Sequence, residues 1–298
     1  MSDWVRQVCD YGIPKIIFTG GEPFERFDCL SGAIAAAKNA QTPTAVFTSS
    51  YWASSPEIAR TVLQQLSGLT HLYLSSDVYH QRNVPVQYVF NVIDSAFELC
   101  IKSITVNITY TKEVERLEVR RQYARYADRL RFAESRVIPN PFFSKRILEN
   151  QDSLRAPRTS EYQSNCEIGT PLINPNGDVF SCHIGKAAAH RDLRDLPYFL
   201  GNLREDSFVE IMSAAAGRPD YQYLRTHGPT GVATLFGRDP CLISAVGRDG
   251  FTNECDMCFS TLKTLEGRQA LARVVDQPQV LEEIDIRLAI LGGEDPIM

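Results

Sequence analysis

The chain has 298 residues, 44% of them hydrophobic and 22% charged, with a net charge of −5. That length holds one large domain and a smaller one, in the composition of an ordinary globular protein. The acidic balance argues against a broad nucleic-acid-binding face, and no apolar run approaches the roughly 18 residues of a membrane span.

The first 140 residues alternate helix-like and strand-like segments. A helix is expected from Asp3 to Tyr11, then a short apolar strand from Lys15 to Thr19 that ends in glycines. A helix from about Pro23 to Lys38 follows, then a strand from Thr44 to Thr48 and a helix from Pro56 to Leu66 with proline near its first turn. His71 to Ser75 reads as a strand, Val84 to Cys100 as a helix and Ser103 to Ile108 as a strand. An arginine-rich helix covers Glu113 to Leu130, and a last strand runs from Arg131 to Ile138 before Pro139. Repeated strand–helix units with short connections indicate an α/β fold, a parallel sheet covered by helices. The chain opens on a helix, so a barrel-type unit here is expected to lack its first strand. A doubly wound open sheet fits the local pattern equally well.

Residues 149–165 turn polar and read as a linker between residues 1–148 and a second domain over 166–298. Beyond it, Leu172 to Phe180 reads as strand, turn and strand, because Pro175-Asn176-Gly177 is a strong turn signal. Ser207 and Glu210 have capping-box spacing at the head of a helix to Ala215. Thr261 to Leu291 is expected to be mainly helical. The N-terminal residues lack the basic and apolar regions of a signal peptide, so the expected location is cytoplasmic.

Thr19-Gly20-Gly21-Glu22-Pro23 stands directly after a strand and before a helix. Two glycines let the backbone approach a ligand, and Glu22 falls at the C-terminal mouth of the sheet, where α/β sites are built. A carboxylate there suits an ammonium group; an ordinary turn with an exposed acid is the plainer alternative. Gly20-Gly21-Glu22-Pro23 resembles the GGEP motif of radical S-adenosylmethionine (SAM) enzymes. In that family the motif ends the second barrel strand and holds the SAM amino group. Thr48-Ser49-Ser50 resembles the Thr-Asn-Gly after the third strand. Ser75-Ser76-Asp77 resembles the Ser-x-Asp segment near the SAM ribose, and Ile138-Pro139 the end of the sixth strand beside adenine. The resemblance spans about residues 3 to 140. It implies a partial (β/α)6 barrel, similar to a TIM barrel, whose SAM-binding residues are Gly20, Gly21, Glu22, Pro23, Ser50, Ser75 and Asp77. Helix capping is the alternative role for Ser75 and Asp77.

The eight cysteines are not evenly spread. Cys9, Cys29 and Cys100 lie in apolar helix-like patterns, whereas Cys166, Cys182, Cys241, Cys255 and Cys258 crowd the second half. Cys255-x-x-Cys258 puts two sulfurs within reach of one centre, and Cys166 and Cys182 flank the hairpin. Four thiolates can close a [4Fe–4S] cluster or a zinc site, and ligand count does not choose between them. Cys166, Gly177, Cys182 and then Cys-x-x-Cys resembles the twitch module, the short relative of the SPASM extension. Leu200-Gly201-Asn202-Leu203 resembles the segment after its hairpin. The resemblance implies a small α+β domain with one auxiliary cluster on Cys166, Cys182, Cys255 and Cys258. Cys241 is expected to be a packed thiol, with a fifth ligand as the alternative.

The chain departs from the radical SAM pattern at one place: no Cys-x-x-x-Cys-x-x-Cys precedes Gly20, only Cys9. Three such thiolates hold the catalytic cluster that cleaves SAM to the 5′-deoxyadenosyl radical, so this chain alone is expected to be inactive. An N-terminally incomplete reading frame is the favoured explanation, and loss of radical chemistry the other. The implied activity is C–H abstraction on a peptide or small natural product, with flavodoxin or ferredoxin as electron donor. A radical-inactive relative that binds a peptide or partner, and a zinc-stabilised binding module, are the alternatives. Tyr79-His80 reads first as a loop pair, with substrate contact as the alternative, and His183 as a solvent-facing ring, with donation to cluster sulfurs as the alternative. Arg116, Arg120, Arg121 and Arg125, spaced with Glu115 and Glu118, read as an ion-paired face, with a substrate carboxylate contact as the lesser alternative.

Overall fold

The computed structural model describes residues 1–137, 166, 168–183, 193–246, 251 and 254–290. The chain divides into two compact units, Met1–Val137 and Ile138–Met298. The expected boundary at 148, the linker over 149–165 and Ile138-Pro139 lie outside the described residues.

The first unit is α/β. Strands β1 (Ile16–Phe18), β2 (Thr44–Thr48), β3 (Leu69–Ser75), β4 (Ser103–Tyr110) and β5 (Arg131–Arg136) form one parallel sheet in the order β1-β2-β3-β4-β5. Helices α1 (Ser2–Asp10), α2 (Phe27–Asn39), α3 (Pro56–Gln64), α4 (Val86–Glu98) and α5 (Glu113–Gln122) alternate with the strands. Each strand lies beside its predecessor and the order never reverses. A doubly wound sheet requires a reversal, so the described sheet is singly wound.

Period-two alternation sets the two faces of this sheet. Val46, Leu72, Leu74, Val106 and Ile108 are buried in one core with Leu30 and Ile34 of α2, Ala59 and Leu63 of α3, and Val89, Val92 and Ile93 of α4. The alternating positions Phe47, Tyr73, Ser75 and Asn107 are only half-buried. Phe47 and Tyr73, register partners, stack at 4.4 Å. Thr48 pairs with Leu74 and Ser75 with Asn107, so β2 and β3 end within one residue of each other, while β4 runs on to Tyr110.

Several expected boundaries shift, for identifiable reasons. Pro23–Arg26 is a separate 3-10 turn, and α2 begins at Phe27. The helix expected to reach Leu130 ends at Gln122, because Tyr123 and Tyr126 turn into the core. Their hydroxyls are anchored to Ser76 Oγ at 2.5 Å and Asp94 Oδ1 at 2.8 Å. Cys100, expected within a helix, lies just past α4 with φ +55°.

In the second unit, β6 (Leu172–Ile173), β7 (Asp178–Phe180) and β8 (Phe199–Asn202) form an antiparallel sheet in that order. The expected hairpin is present, with Gly177 at φ +92°. Buried Asp178 accepts hydrogen bonds from Asn202 Nδ2 at 2.7 Å and Asn176 Nδ2 at 2.7 Å, and pairs with Arg194 at 2.9 Å. Burial opposes the Asp178 charge, but these partners hold its pKa below the usual carboxylate value. Helices α6 (Phe208–Ala216), α7 (Pro219–Arg238), α8 (Pro240–Val246), α9 (Glu254–Leu262), α10 (Leu265–Val275) and α11 (Pro278–Ile290) follow. The capping box is formed: Ser207 N donates to Glu210 Oε2 at 2.9 Å and Glu210 N to Ser207 Oγ at 3.4 Å. The stretch expected from Thr261 contains the end of α9 and two further helices, divided by the Thr264 N-cap and by Pro278. In α7 the backbone breaks at Gly228, next to Pro229.

Gly177→Ala is expected to destabilise this unit by about 1–3 kcal/mol, through left-handed backbone and overpacking together. A Cβ at that position would lie 2.8 Å from Asn202 Oδ1, an atom held by the Arg204 N–H at 2.8 Å. Urea unfolding followed by far-UV circular dichroism checks this; an unchanged midpoint contradicts it.

Candidate functional site

Glu22 follows β1, and its carboxylate is gripped by the end of β2. Oε2 accepts from Thr48 Oγ1 at 3.1 Å, Ser49 N at 2.9 Å and Ser49 Oγ at 2.8 Å. Among the described residues Oε1 accepts only from Phe24 N, at 3.3 Å, which caps the Pro23–Arg26 turn. Thr48 Oγ1 also accepts from Ser50 N at 3.0 Å and Trp52 Nε1 at 3.1 Å, which fills a hydroxyl's capacity of one donor and two acceptors. Trp52 stacks on Phe24 at 4.3 Å, closing the ring of contacts back to Glu22. Gly20 (φ +112°) and Gly21 are exposed, and a Cβ on either would meet nothing within 4 Å. The loop is thus fixed at its carboxylate and open above its glycines.

Ser50 is fully buried at φ +68°, and its Oγ has no hydrogen-bond partner among the described residues. That conformation favours glycine, the residue at the corresponding place in the motif that Thr48-Ser49-Ser50 resembles. Ser75 closes β3 half-buried.

Asp77 is buried and spent on its own loop. Oδ1 accepts from Tyr79 N and His80 N, both at 2.9 Å, and Oδ2 pairs with His80 Nδ1 at 2.8 Å and accepts from Thr109 N at 3.4 Å. Asp77 thus accepts from the N–H groups leading into the His80–Arg82 turn, whose N-cap, Tyr79, makes no side-chain cap hydrogen bond. Burial works against the Asp77 charge, but the His80 ring, the loop N–H groups and the His80 charge outweigh it, so its pKa is lowered. The Asp77 hydrogen bond raises the His80 pKa above 6.5; burial opposes this, while the Asp77 and Glu22 charges add to it. Glu22, Ser50 and Asp77 thus follow neighbouring strands at one edge of the sheet, where Asp77 also holds His80, in the sequence only a lesser candidate for substrate contact.

The second constellation lies in the second unit. Cys182 and Cys258 are buried, Cys255 is half-buried and Cys166 is exposed, and no disulfide joins any of the eight cysteines. Cys255 and Cys258 lie one helical turn apart in α9. The Tyr198 hydroxyl, just before β8, is 2.8 Å from Cys258 Sγ, and His183 Nε2 is 3.6 Å from Cys255 Sγ. Burial pushes the Cys258 thiol well above its usual pKa; the Tyr198 hydrogen bond opposes this, and the charges of Cys166, Cys182 and Cys255 add to it. The three other predicted cysteines therefore all act on Cys258. Among the described residues, no group of three or more His, Cys, Asp or Glu is placed to hold a metal ion. Cys241, expected to be packed, is exposed on α8, where Leu242 takes the buried position.

The chain matches no protein-family model and no curated protein.

Three of the four arginines expected on an ion-paired face are paired among the described residues. Arg116 pairs with Glu113 and with Glu134 of β5, Arg120 with Glu134 at 3.3 Å, and Arg125 with Asp94 at 3.7 Å. Tyr79 OH donates to Thr111 Oγ1 at 3.0 Å. Tyr198 carried no local signal, because its partner is 60 residues away. No described helix is long and apolar enough to cross a membrane.

The raised His80 and lowered Asp77 pKa values give a signed expectation. Stability from Asp77 appears above its unfolded pKa of about 3.9 and is lost as pH falls through the lower folded value. Stability from His80 is present below its unfolded pKa of about 6.5 and is lost as pH rises through the higher folded value. Asp77→Asn should therefore lower the melting temperature most between about pH 4 and 6.5, and bring the His80 pKa down in an NMR titration. A His80 pKa that stays above 6.5 in that variant contradicts the pairing.

Proposed function

We propose that this chain carries the cofactor-binding sheet and the auxiliary-cluster module of a radical SAM enzyme acting on a peptide or small natural product. The observation that carries this reading is Glu22: a carboxylate after two exposed glycines, at the C-terminal edge of a singly wound parallel sheet. The strand order supports a partial barrel, and Glu22 Oε1, with one hydrogen bond, keeps acceptor capacity for an ammonium group. Gly20, Gly21 and Pro23 would shape the loop around the SAM amino group, and Ser50 and Ser75 stand at the same edge.

Cys166, Cys182, Cys255 and Cys258 would hold the auxiliary cluster. A single zinc needs sulfurs about 3.8 Å apart, given Zn–S bonds of about 2.3 Å. Four thiolates suit either a cubane or one zinc ion, and the preference for the cubane rests on the resemblance to the twitch module. Bound SAM and iron–sulfur clusters supply hydrogen-atom abstraction and electron transfer, with a flavodoxin or ferredoxin as reductant. The thiolates of a catalytic cluster are not supplied as Cys-x-x-x-Cys-x-x-Cys within these 298 residues, so radical initiation is not expected of this chain alone.

A second reading, a radical-inactive binding protein of the same fold, is favoured by one observation. Glu22 Oε2 and both Asp77 oxygens are already engaged by the chain's own donors.

Anaerobic reconstitution with iron and sulfide should load about four irons per chain, as one cysteine-ligated cubane requires. The double variant Cys255→Ala, Cys258→Ala should lose them. Stoichiometric zinc without brown cluster absorbance would contradict the enzyme reading and favour a binding module.

A further inference from the structure

We infer that the group meeting the ligand at the end of β3 is the His80 imidazole, presented by Asp77, with its outward N–H donating to an acceptor oxygen of the ligand. This rests on the reading above that the ligand is SAM, and it changes which residue touches it.

Geometry separates the two side chains. Asp77 is 1% exposed, and its oxygens are taken by Tyr79 N, His80 N, His80 Nδ1 and Thr109 N. A carboxylate so engaged has little left for a ribose or a carboxylate on a ligand. His80 differs: its side chain is 43% exposed. With Nδ1 directed at Asp77, the ring turns Nε2 outward. An ionised Asp77 only accepts, so Nδ1 carries the ring's first proton and Nε2 takes the second.

The surroundings fit a ligand site. Glu22 is hydrogen-bonded at the end of β2, and β3 is the neighbouring strand in register. The charges acting on His80 are Asp77 and Glu22, both of which favour its protonated form. Two buried polar atoms at this edge, Ser50 Oγ after β2 and Asn107 Nδ2 on β4, have no partner among the described residues. At this edge Glu22 Oε1 offers a contact for an ammonium group, and a protonated His80 would offer one for an acceptor oxygen. Asp77 is then a positioning residue, which selects the tautomer and charge of the ring.

The test is calorimetric titration of the full chain with SAM, alongside NMR of protein labelled at histidine nitrogen. SAM should shift the His80 signal, identified by its loss in His80→Phe. That exposed substitution should weaken binding about tenfold, the loss of one charge-assisted hydrogen bond. In the unmodified chain, affinity should fall as pH rises through the His80 pKa, and this dependence should vanish in His80→Phe. 5′-Deoxyadenosine lacks the carboxylate: an equal loss with it assigns the acceptor to the ribose, and no loss assigns it to the carboxylate. If His80→Phe binds SAM as tightly as the unmodified chain while Glu22→Gln does not, the inference falls and the SAM reading stands. Weakened binding in Asp77→Asn with none in His80→Phe likewise returns the contact to Asp77. No heat and no shift with SAM in the unmodified chain overturns both.

Discussion

The first unit depends on the grip of one strand end upon the loop of another. Glu22 arrives after β1, and Thr48 and Ser49 at the end of β2 take hold of its carboxylate. A parallel sheet makes this possible, because all its strands end at the same edge and their loops meet there. Thr48 fills its hydroxyl's full capacity in the process, and Trp52 and Phe24 cover the assembly. The carboxylate is thereby held at the edge while the backbone before it stays open. The ends of β2 and β3 lie side by side, and Thr109 N of the longer β4 donates to Asp77, which keeps Asp77 and His80 at the same edge.

The second unit uses a different device. A buried carboxylate locks the turn of its three-stranded sheet. Asp178 gathers Asn176, Arg194 and Asn202, and Gly177 leaves no side chain to obstruct Asn202. Ser181 N then donates to Tyr198 O at 2.8 Å, which ties the residue before Cys182 to the residue whose hydroxyl reaches Cys258. Two segments about 75 residues apart in the chain, at Cys182 and Cys258, are joined through Tyr198 in one apolar cluster.

Much of this was legible in the sequence, and the limits have a physical pattern. The five strands, the Pro-Asn-Gly turn, the Ser207–Glu210 capping box and the loop at Glu22 are set by neighbours within a few residues, which a linear text records. Strand order was not legible, since local periodicity is the same in singly and doubly wound sheets. The stop of α5 at Gln122 was missed because Tyr123 and Tyr126 are drawn inward by Ser76 and Asp94, far away in sequence. His80 was read as a loop residue for a similar reason: its standing comes from a buried carboxylate and from Glu22 across the sheet. Cys241 was assigned to the interior by residue type alone, whereas the helix turns Leu242 inward.

Equilibrium dialysis of the full chain against radiolabelled SAM tests the central claim most directly, because it asks whether the edge at Glu22 is a site at all. Saturable binding of about one molecule per chain, lost in Glu22→Gln and kept when exposed Cys241 is changed to Ser, is the predicted result. Binding that fails to saturate, or that survives in Glu22→Gln unchanged, would contradict it.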